Sequence, residues 1–291
     1  FPQLFGDVLE AVAALSDAAA LRRWAAARLA PSGAAPADLP LFLQVADDLQ
    51  LWQTGRATDR FLATDAHAGA DGPLMRGGVW ADGRVHPFDP SDVAEDLTHA
   101  WLAADDPVQP PSQGLTVPVV DKPGAYTWCK APRWRGQVLE TGALARQMVD
   151  GLPLLRDVVA QHGGSVAARV LARLVEVARV LPAMQRWALA LVPGQPTYTP
   201  GELPARADAV GLVEAARGTL GHWVGWRDGR IAHYQIVAPT TWNFSPRDAA
   251  GTPGALEQAL AGVPVPAGEA TPLMVQHVVR SFDPCMVCTV H

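Results

Sequence analysis

Two of the three cysteines in this 291-residue chain fall in its last residues, Asp283-Pro284-Cys285-Met286-Val287-Cys288-Thr289-Val290-His291. A Cys-x-x-Cys turn brings two sulfurs to one side, and thiolates are soft ligands suited to zinc, nickel, iron clusters or Cu(I). His291 lies three residues past Cys288, so the pattern is not that of covalent haem attachment. A structural zinc site takes four protein ligands, and only the distant Cys129 remains. A thioredoxin-like pair would open a helix after a strand, whereas this pair ends the sequence. The pair therefore reads as a metal site, with redox or incidental use as the alternatives. Spacing alone makes His291 a frayed end, because hard cations such as magnesium prefer oxygen ligands.

Two further segments are dense in chemistry. In Glu214-Ala215-Ala216-Arg217-Gly218-Thr219-Leu220-Gly221-His222-Trp223, Arg217 sits among small residues, where a guanidinium can be buried and aimed at an anion. An ordinary ion pair with Glu214 is the alternative. Ala238-Pro239-Thr240-Thr241-Trp242-Asn243-Phe244-Ser245-Pro246-Arg247-Asp248 reads as an irregular strand exit offering hydroxyl and amide donors, and by itself as a loop. Cys129, beside Trp128, reads as packed. His67, His86, His99 and His162 lack ligand spacing. The sequence contains no phosphate-binding glycine loop, Ser-His-Asp order or His-Glu-x-x-His motif.

The elements that must position these residues follow from periodicity and turn chemistry. Helical patterns cover 5–30 and a stretch within 40–64, and Asp82-Gly83 predicts a hairpin turn. Ser91 is the expected N-cap of a helix over 92–103. Residues 106–124 form a proline-rich surface connector. Helices follow over 137–150, 152–162 and 165–191, the last with Val166, Val170, Leu174, Val177 and Leu181 as its buried stripe. A proline-rich loop covers 193–204. Strand, Asp228-Gly229 turn and strand fill 223–237, and short helices at 254–262 and 270–281 lead into the tail. The order gives an α-rich α+β fold, divided into a helical segment with a hairpin at 1–105 and a core at 120–291, continuous as one domain.

Composition narrows the function. Hydrophobic residues make up 49% and charged residues 18%, which excludes a disordered chain. The net charge of −6 and the lack of any Lys/Arg run argue against a nucleic-acid partner. Three cysteines cannot make a disulfide framework and fit a reducing compartment. No transmembrane segment is indicated, since Val166–Leu191 carries Arg169, Arg173, Glu176, Arg179 and Arg186. No signal peptide is visible, and the chain begins at Phe1, which suggests a removed or omitted upstream part.

Taken together, the segments resemble the large subunit of nickel–iron hydrogenases. The resemblance rests on Asp-Pro-Cys-x-x-Cys-x-x-His at 283–291, Lys-Ala-Pro-Arg at 130–133 and Glu140-Thr141-Gly142-Ala143-Leu144-Ala145-Arg146. It continues with Ala-Arg-Gly-x-Leu-Gly-His-Trp at 216–223 and Tyr-Gln-Ile-Val-Ala-Pro-Thr-Thr-Trp-Asn-x-Ser-Pro-Arg-Asp at 234–248. It covers the chain from about residue 120, and the Val-Cys-Thr-Val-His ending is most similar to the hydrogen-sensing, regulatory branch.

The resemblance implies a helical bundle core with short hairpins and a Ni-Fe(CN)2CO centre for heterolytic hydrogen cleavage or sensing. Cys285 would ligate nickel, and Cys288 would bridge nickel and iron. Arg217 would project over the metals with Asp283 as its acidic neighbour. Pro239 and Thr240 would surround a cyanide, and Leu220 would pack against the diatomic ligands. His291 would bind Mg2+ together with the Ile236 carbonyl, replacing the frayed-end reading. Iron–sulfur clusters would reside only in a partner small subunit, and maturation chaperones would be further partners. The regulatory branch implies a cytoplasmic protein, and the uptake branch implies membrane association through partners.

The sequence departs from the family in lacking the N-terminal Cys-x-x-Cys pair and the N-terminal Glu. It therefore implies either the C-terminal part of a large subunit, completed by an N-terminal part supplying that pair, or an assembly scaffold holding the Fe(CN)2CO unit before transfer. The match at Arg217, Asp283 and His291 favours the first. A metal-free interaction subunit is a third reading.

Overall fold

The computed structural model describes residues 14–29, 37–69, 71–103, 105–196, 198 and 200–285. The first part runs α1 (Ala18–Leu29), α2 (Asp38–Asp48), β1 (Phe61–Ala63), β2 (Ala66–Gly69), β3 (Gly72–Met75), β4 (Gly78–Ala81) and β5 (Arg84–His86). Next come β6 (Val93–Asp96), β7 (Val108–Gln109), β8 (Ala131–Trp134), α3 (Ala143–Asp150), α4 (Pro153–His162) and α5 (Val166–Leu189). The chain continues with β9 (Arg206–Ala215), β10 (Gly218–Arg227), β11 (Arg230–Val237), α6 (Pro239–Asn243), α7 (Ala255–Leu260) and α8 (Leu273–Ser281). The result is a mixed helix-and-sheet fold with four small sheets, ordered β1-β4-β5, β2-β3, β7-β6-β8 and β11-β10-β9.

Both expected Asp-Gly hairpins form. Asp82 (φ 52°) and Gly83 (φ 75°), like Asp228 (φ 48°) and Gly229 (φ 79°), are left-handed at both central positions. That geometry matches the twist of the flanking strands. In α1, the Asp17 carboxylate accepts the Ala20 N–H at 2.7 Å and so caps the helix. The helix expected over 5–30 begins only at Ala18, residues 14–17 being turn and irregular backbone, and the expected positions 5–13 and 30 lie outside the described residues.

Three expectations change. The helix within 40–64 stops at Asp48, and the chain turns at Gln50 (φ 55°) to return as β1. Strand β1 sends Phe61 and Ala63 into one core and Leu62 into another, so its alternation is buried on both sides. The helix expected over 92–103 is absent. Asp89, rather than Ser91, caps a 3-10 turn at Pro90–Asp92, and β6 follows, paired with β7 and β8. Tertiary pairing here overrides local helix preference, because Glu95 finds Lys130 only from an extended strand.

The buried stripe of α5 also differs. Val166 is buried as expected, but the apolar stripe continues through Ala167, Ala168, Leu171, Ala172, Val175, Ala178 and Ala183, whereas Val170, Leu174 and Leu181 are half-buried and Val177 is exposed. Alanines allow the close approach of α3, so the small residues mark the inner face and the larger aliphatics its shoulder. Strand β9 had no sequence signal, since it is largely solvent-exposed along both faces and lacks the alternation of a half-buried strand.

The larger core joins α1–α5 with β1, α7 and α8. A second core packs Leu62, Val79, Trp134, Trp223, Val237 and Trp242 from β1, β4, β8, β10, β11 and α6.

Candidate metal centre

The exit of α8 is held from below by α5. Arg169 donates through Nε and Nη2 to both carboxylate oxygens of Glu140, at 2.7 and 2.9 Å, with both side chains buried. Its Nη1 reaches the Ser281 hydroxyl at 3.2 Å, and its guanidinium lies 3.7 Å from the Phe282 ring centre. Arg173, one turn further along, donates to the Ser281 carbonyl at 2.8 Å. Two arginines thus fix the last helical turn before Asp283. Asp283 then adopts a left-handed conformation (φ 53°), turning the chain toward α6. There the Cys285 amide donates to the Thr240 hydroxyl at 3.2 Å.

The second wall is the β9–β10 turn. Arg146 on α3 is 2% exposed and spends all its donors. It bonds both oxygens of Glu176 (2.9 and 2.6 Å), Glu214 (2.9 Å), and the carbonyls of Ala215 and Ala216 (3.0 Å each). Glu214 also accepts from the Thr64 amide and from the Thr64 and Thr219 hydroxyls. Burial pushes the Glu214 pKa up, with Arg146 the leading opposing charge. Burial opposes the Arg146 charge, but Glu176 and Glu214 outweigh it and raise its pKa. Gly218 (φ 130°) packs so closely that a Cβ would stand 2.5 Å from Thr141 Oγ1 and 2.8 Å from the Gly142 nitrogen. Only glycine fits there.

These two walls bring Arg217 and Asp283 together, with Nε 3.6 Å from Oδ1 and each side chain 43% exposed. The expected alternative, an Arg217–Glu214 pair, is not formed, because Glu214 belongs to Arg146. Burial lowers the Arg173 pKa, Asp283 being the leading charge that works the other way. A cavity of about 20 Å³ lies between Glu140, Arg169, Arg173, Arg217 and Asp283, room for one water.

The remaining motif segments brace this ground. Thr141 and Asn243 exchange hydrogen bonds, amide to Oδ1 at 2.9 Å and Nδ2 to carbonyl at 3.0 Å. This ties the start of α3 to α6, which carries the buried Pro239 and Thr240. Arg133 binds Asp248 (2.9 Å), the Ser245 hydroxyl and the carbonyls of Pro246 and Thr252. Lys130 stands 3.8 Å from Glu95, whose other oxygen accepts from Gln235 at 3.1 Å. Burial, against the pull of Lys130, pushes the Glu95 pKa up to about 7.

Arg217, Asp283, Thr240 and Cys285 therefore converge from three distant segments. Leu220 lies half-buried in β10 opposite Val213, and Ile236 stands in β11 opposite His222 with an exposed side chain. Cys288 and His291 lie outside the described residues. Among the described residues no three His, Cys, Asp or Glu side chains cluster as a metal site. Cys129 is half-buried, and burial raises its thiol pKa, consistent with packing. Sequence reasoning passed over Arg169, Arg173 and Glu176, using them only to exclude a membrane helix. Their spacing, in an otherwise apolar helix, was the available signal, since it places three charges on one face.

The donor set suits a soft metal carrying polar ligands. Thr240 accepts from the Cys285 amide, which leaves its own hydroxyl hydrogen beside the cysteine for another acceptor.

Comparison with known proteins agrees. A family described as nickel-dependent hydrogenase matches residues 38–291. The periplasmic [NiFeSe] hydrogenase large subunit of Desulfomicrobium baculatum is 37% identical over 236 residues, covering 75% of this chain and 46% of that protein. An uptake hydrogenase large subunit of Rubrivivax gelatinosus is 32% identical, with the same coverage. Among solved structures, the [NiFeSe] hydrogenase of Desulfovibrio vulgaris Hildenborough in its as-isolated oxidised state superposes with a TM-score of 0.78 at 32% identity, covering 87% of this chain and 56% of that one. The chain spans about half the length of the curated relatives it matches. Matched over residues 38–291 and sharing its fold with these structures, the chain belongs to the nickel-dependent hydrogenase family.

Proposed function

We propose that this chain builds the C-terminal half of a Ni-Fe(CN)2CO site for heterolytic hydrogen cleavage, the other half coming from polypeptide equivalent to the remaining length of its relatives. The observation that carries this is the convergence of Cys285 with Thr240 and of Asp283 with Arg217 above a shared floor of buried arginines. When bound, such a centre supplies the Lewis acidity that polarises hydrogen.

The chain's residues do the rest. Cys285 and Cys288 supply thiolate ligands, and their sulfurs can take up a proton. Arg217 places positive potential over the site, with Asp283 as its acidic neighbour. Thr240 would offer its hydroxyl hydrogen to a polar ligand of the metal. Pro239 and Leu220 would help keep water from the centre. His291 and the Ile236 carbonyl would hold Mg2+. A small subunit bearing the iron–sulfur clusters carries electrons away, because Cys129, the one cysteine of this sequence outside the tail, cannot hold a cluster. Maturation chaperones deliver the metals.

The tail wording supports hydrogen sensing in a cytoplasmic regulatory protein. The periplasmic and uptake relatives support energy-linked turnover near a membrane. No helix among the described residues is long and apolar enough to cross a membrane. The scaffold reading, with Fe(CN)2CO held for transfer, is favoured by one observation, the limit of two tail cysteines.

The deciding experiment co-produces this chain with and without a polypeptide carrying the second Cys pair, and measures bound nickel and iron. The proposal expects both metals only in the combined protein. Iron without nickel on this chain alone would replace it with the scaffold reading.

A further inference from the structure

Arg217 is held at the site by a device that its own side chain does not reveal. Its guanidinium is 43% exposed and meets Asp283 at 3.6 Å, a contact too open to fix a long side chain. What is fixed is the backbone that delivers it. The carbonyls of Ala215 and Ala216, the two residues before Arg217, both accept from Arg146 at 3.0 Å. Arg146 is itself locked by Glu176 and Glu214, and Glu214 belongs to the same turn. Gly218, on the other side of Arg217, is pressed against Thr141 and Gly142.

We infer that Arg146, held by Glu176 and Glu214, is the positioning residue that sets where Arg217 stands over the metal site. It touches neither the reacting atoms nor Cys285, and acts wholly through the turn. A planar, five-donor guanidinium is required, since it serves two carboxylates and two carbonyls at once; an ammonium has three donors and no fork. Arg146 also lines an open apolar cavity of about 400 Å³ with Val177, Val180 and Leu181, so a smaller side chain there would let the turn sag into it. A displacement on the order of 1 Å at a group acting on a transition state costs about a hundredfold in rate.

This inference rests on the nickel–iron reading of the site, and the test separates the two. In the complete hydrogenase complex, Arg146→Lys, Arg217→Lys and the double variant are compared with the parent. The readouts are the infrared bands of bound cyanide and carbon monoxide, hydrogen–deuterium isotope exchange activity, and amide exchange of the 214–220 peptide. Absence of infrared bands in the parent overturns the metal-site reading, while amide exchange still reports on the turn. Arg146→Lys is expected to keep the metals, shift the cyanide bands, speed amide exchange over 215–219, and lower activity by about ten- to a hundredfold. The double variant is expected to be no worse than Arg217→Lys, since both act through one group. Unchanged amide exchange, or losses that multiply in the double variant, overturns the inference. Should Arg146→Lys fail to load metal, Glu176→Gln, which removes one charge from the clamp, decides by the same readouts.

Discussion

At the scale of single residues, the site depends on side chains that never reach it. Arg169 is the clearest case. It joins Glu140 of the motif before α3 to Ser281 and Phe282 at the tail, and also donates to the Gly55 carbonyl at 2.9 Å. Arg169→Met would leave the Glu140 carboxylate buried without its partner, a loss of about 3–5 kcal/mol. Denaturant unfolding checks the magnitude, and faster thiol labelling of Cys285 would show that the tail has been released. A loss below about 1 kcal/mol, the range of a surface ion pair, would mean that Glu140 is stabilised by other groups. The cysteine pair was readable as a candidate metal site from type and spacing, whereas His291 and Ile236 entered as ligands only through the family resemblance. Arg169 and Arg173 were not readable, because a helical arginine looks the same from sequence whether it faces water or a buried glutamate.

At the scale of elements, turn chemistry was readable and pairing was not. Asp82-Gly83 and Asp228-Gly229 specify their hairpins locally, through positive φ. Strand β6 carries no such local statement: Ser91-Asp92 and the acidic residues after it suit a helix start, and only β7, β8 and Lys130 make it a strand. The same misread segment carries a testable pH dependence. Glu95 has a pKa of about 7 in the folded protein, above its ordinary 4.5. Between those values the unfolded chain loses this proton and the folded chain keeps it. Stability attributable to Glu95 is therefore complete below the lower value and declines as pH rises toward 7, by up to about 3 kcal/mol. Glu95→Gln is expected to flatten that decline in urea midpoints measured across the window. An unaltered slope would show that the carboxylate ionises freely in the folded state.

At the scale of the whole molecule, the family's motif segments are far apart in sequence yet share one polar frame. Lys130 and Arg133 brace β8 against the residues after α6, Thr141 and Asn243 lock α3 to α6, and Arg146 and Arg169 reach the two walls of the site. This explains why short, separated blocks sufficed to suggest the family, whereas the four sheets, in place of the expected helical bundle core, and the buried face of α5 had to be found in three dimensions. The proposed half-site fits this frame, with two cysteines at the tail and relatives about twice as long.

The most direct measurement is the infrared spectrum of the purified hydrogenase complex containing this chain, taken with its nickel and iron content. The account predicts bands from bound cyanide and carbon monoxide, with both metals present, and their loss together with nickel in Cys285→Ser. A complex without those bands, or one that keeps nickel and the full spectrum in Cys285→Ser, would contradict it.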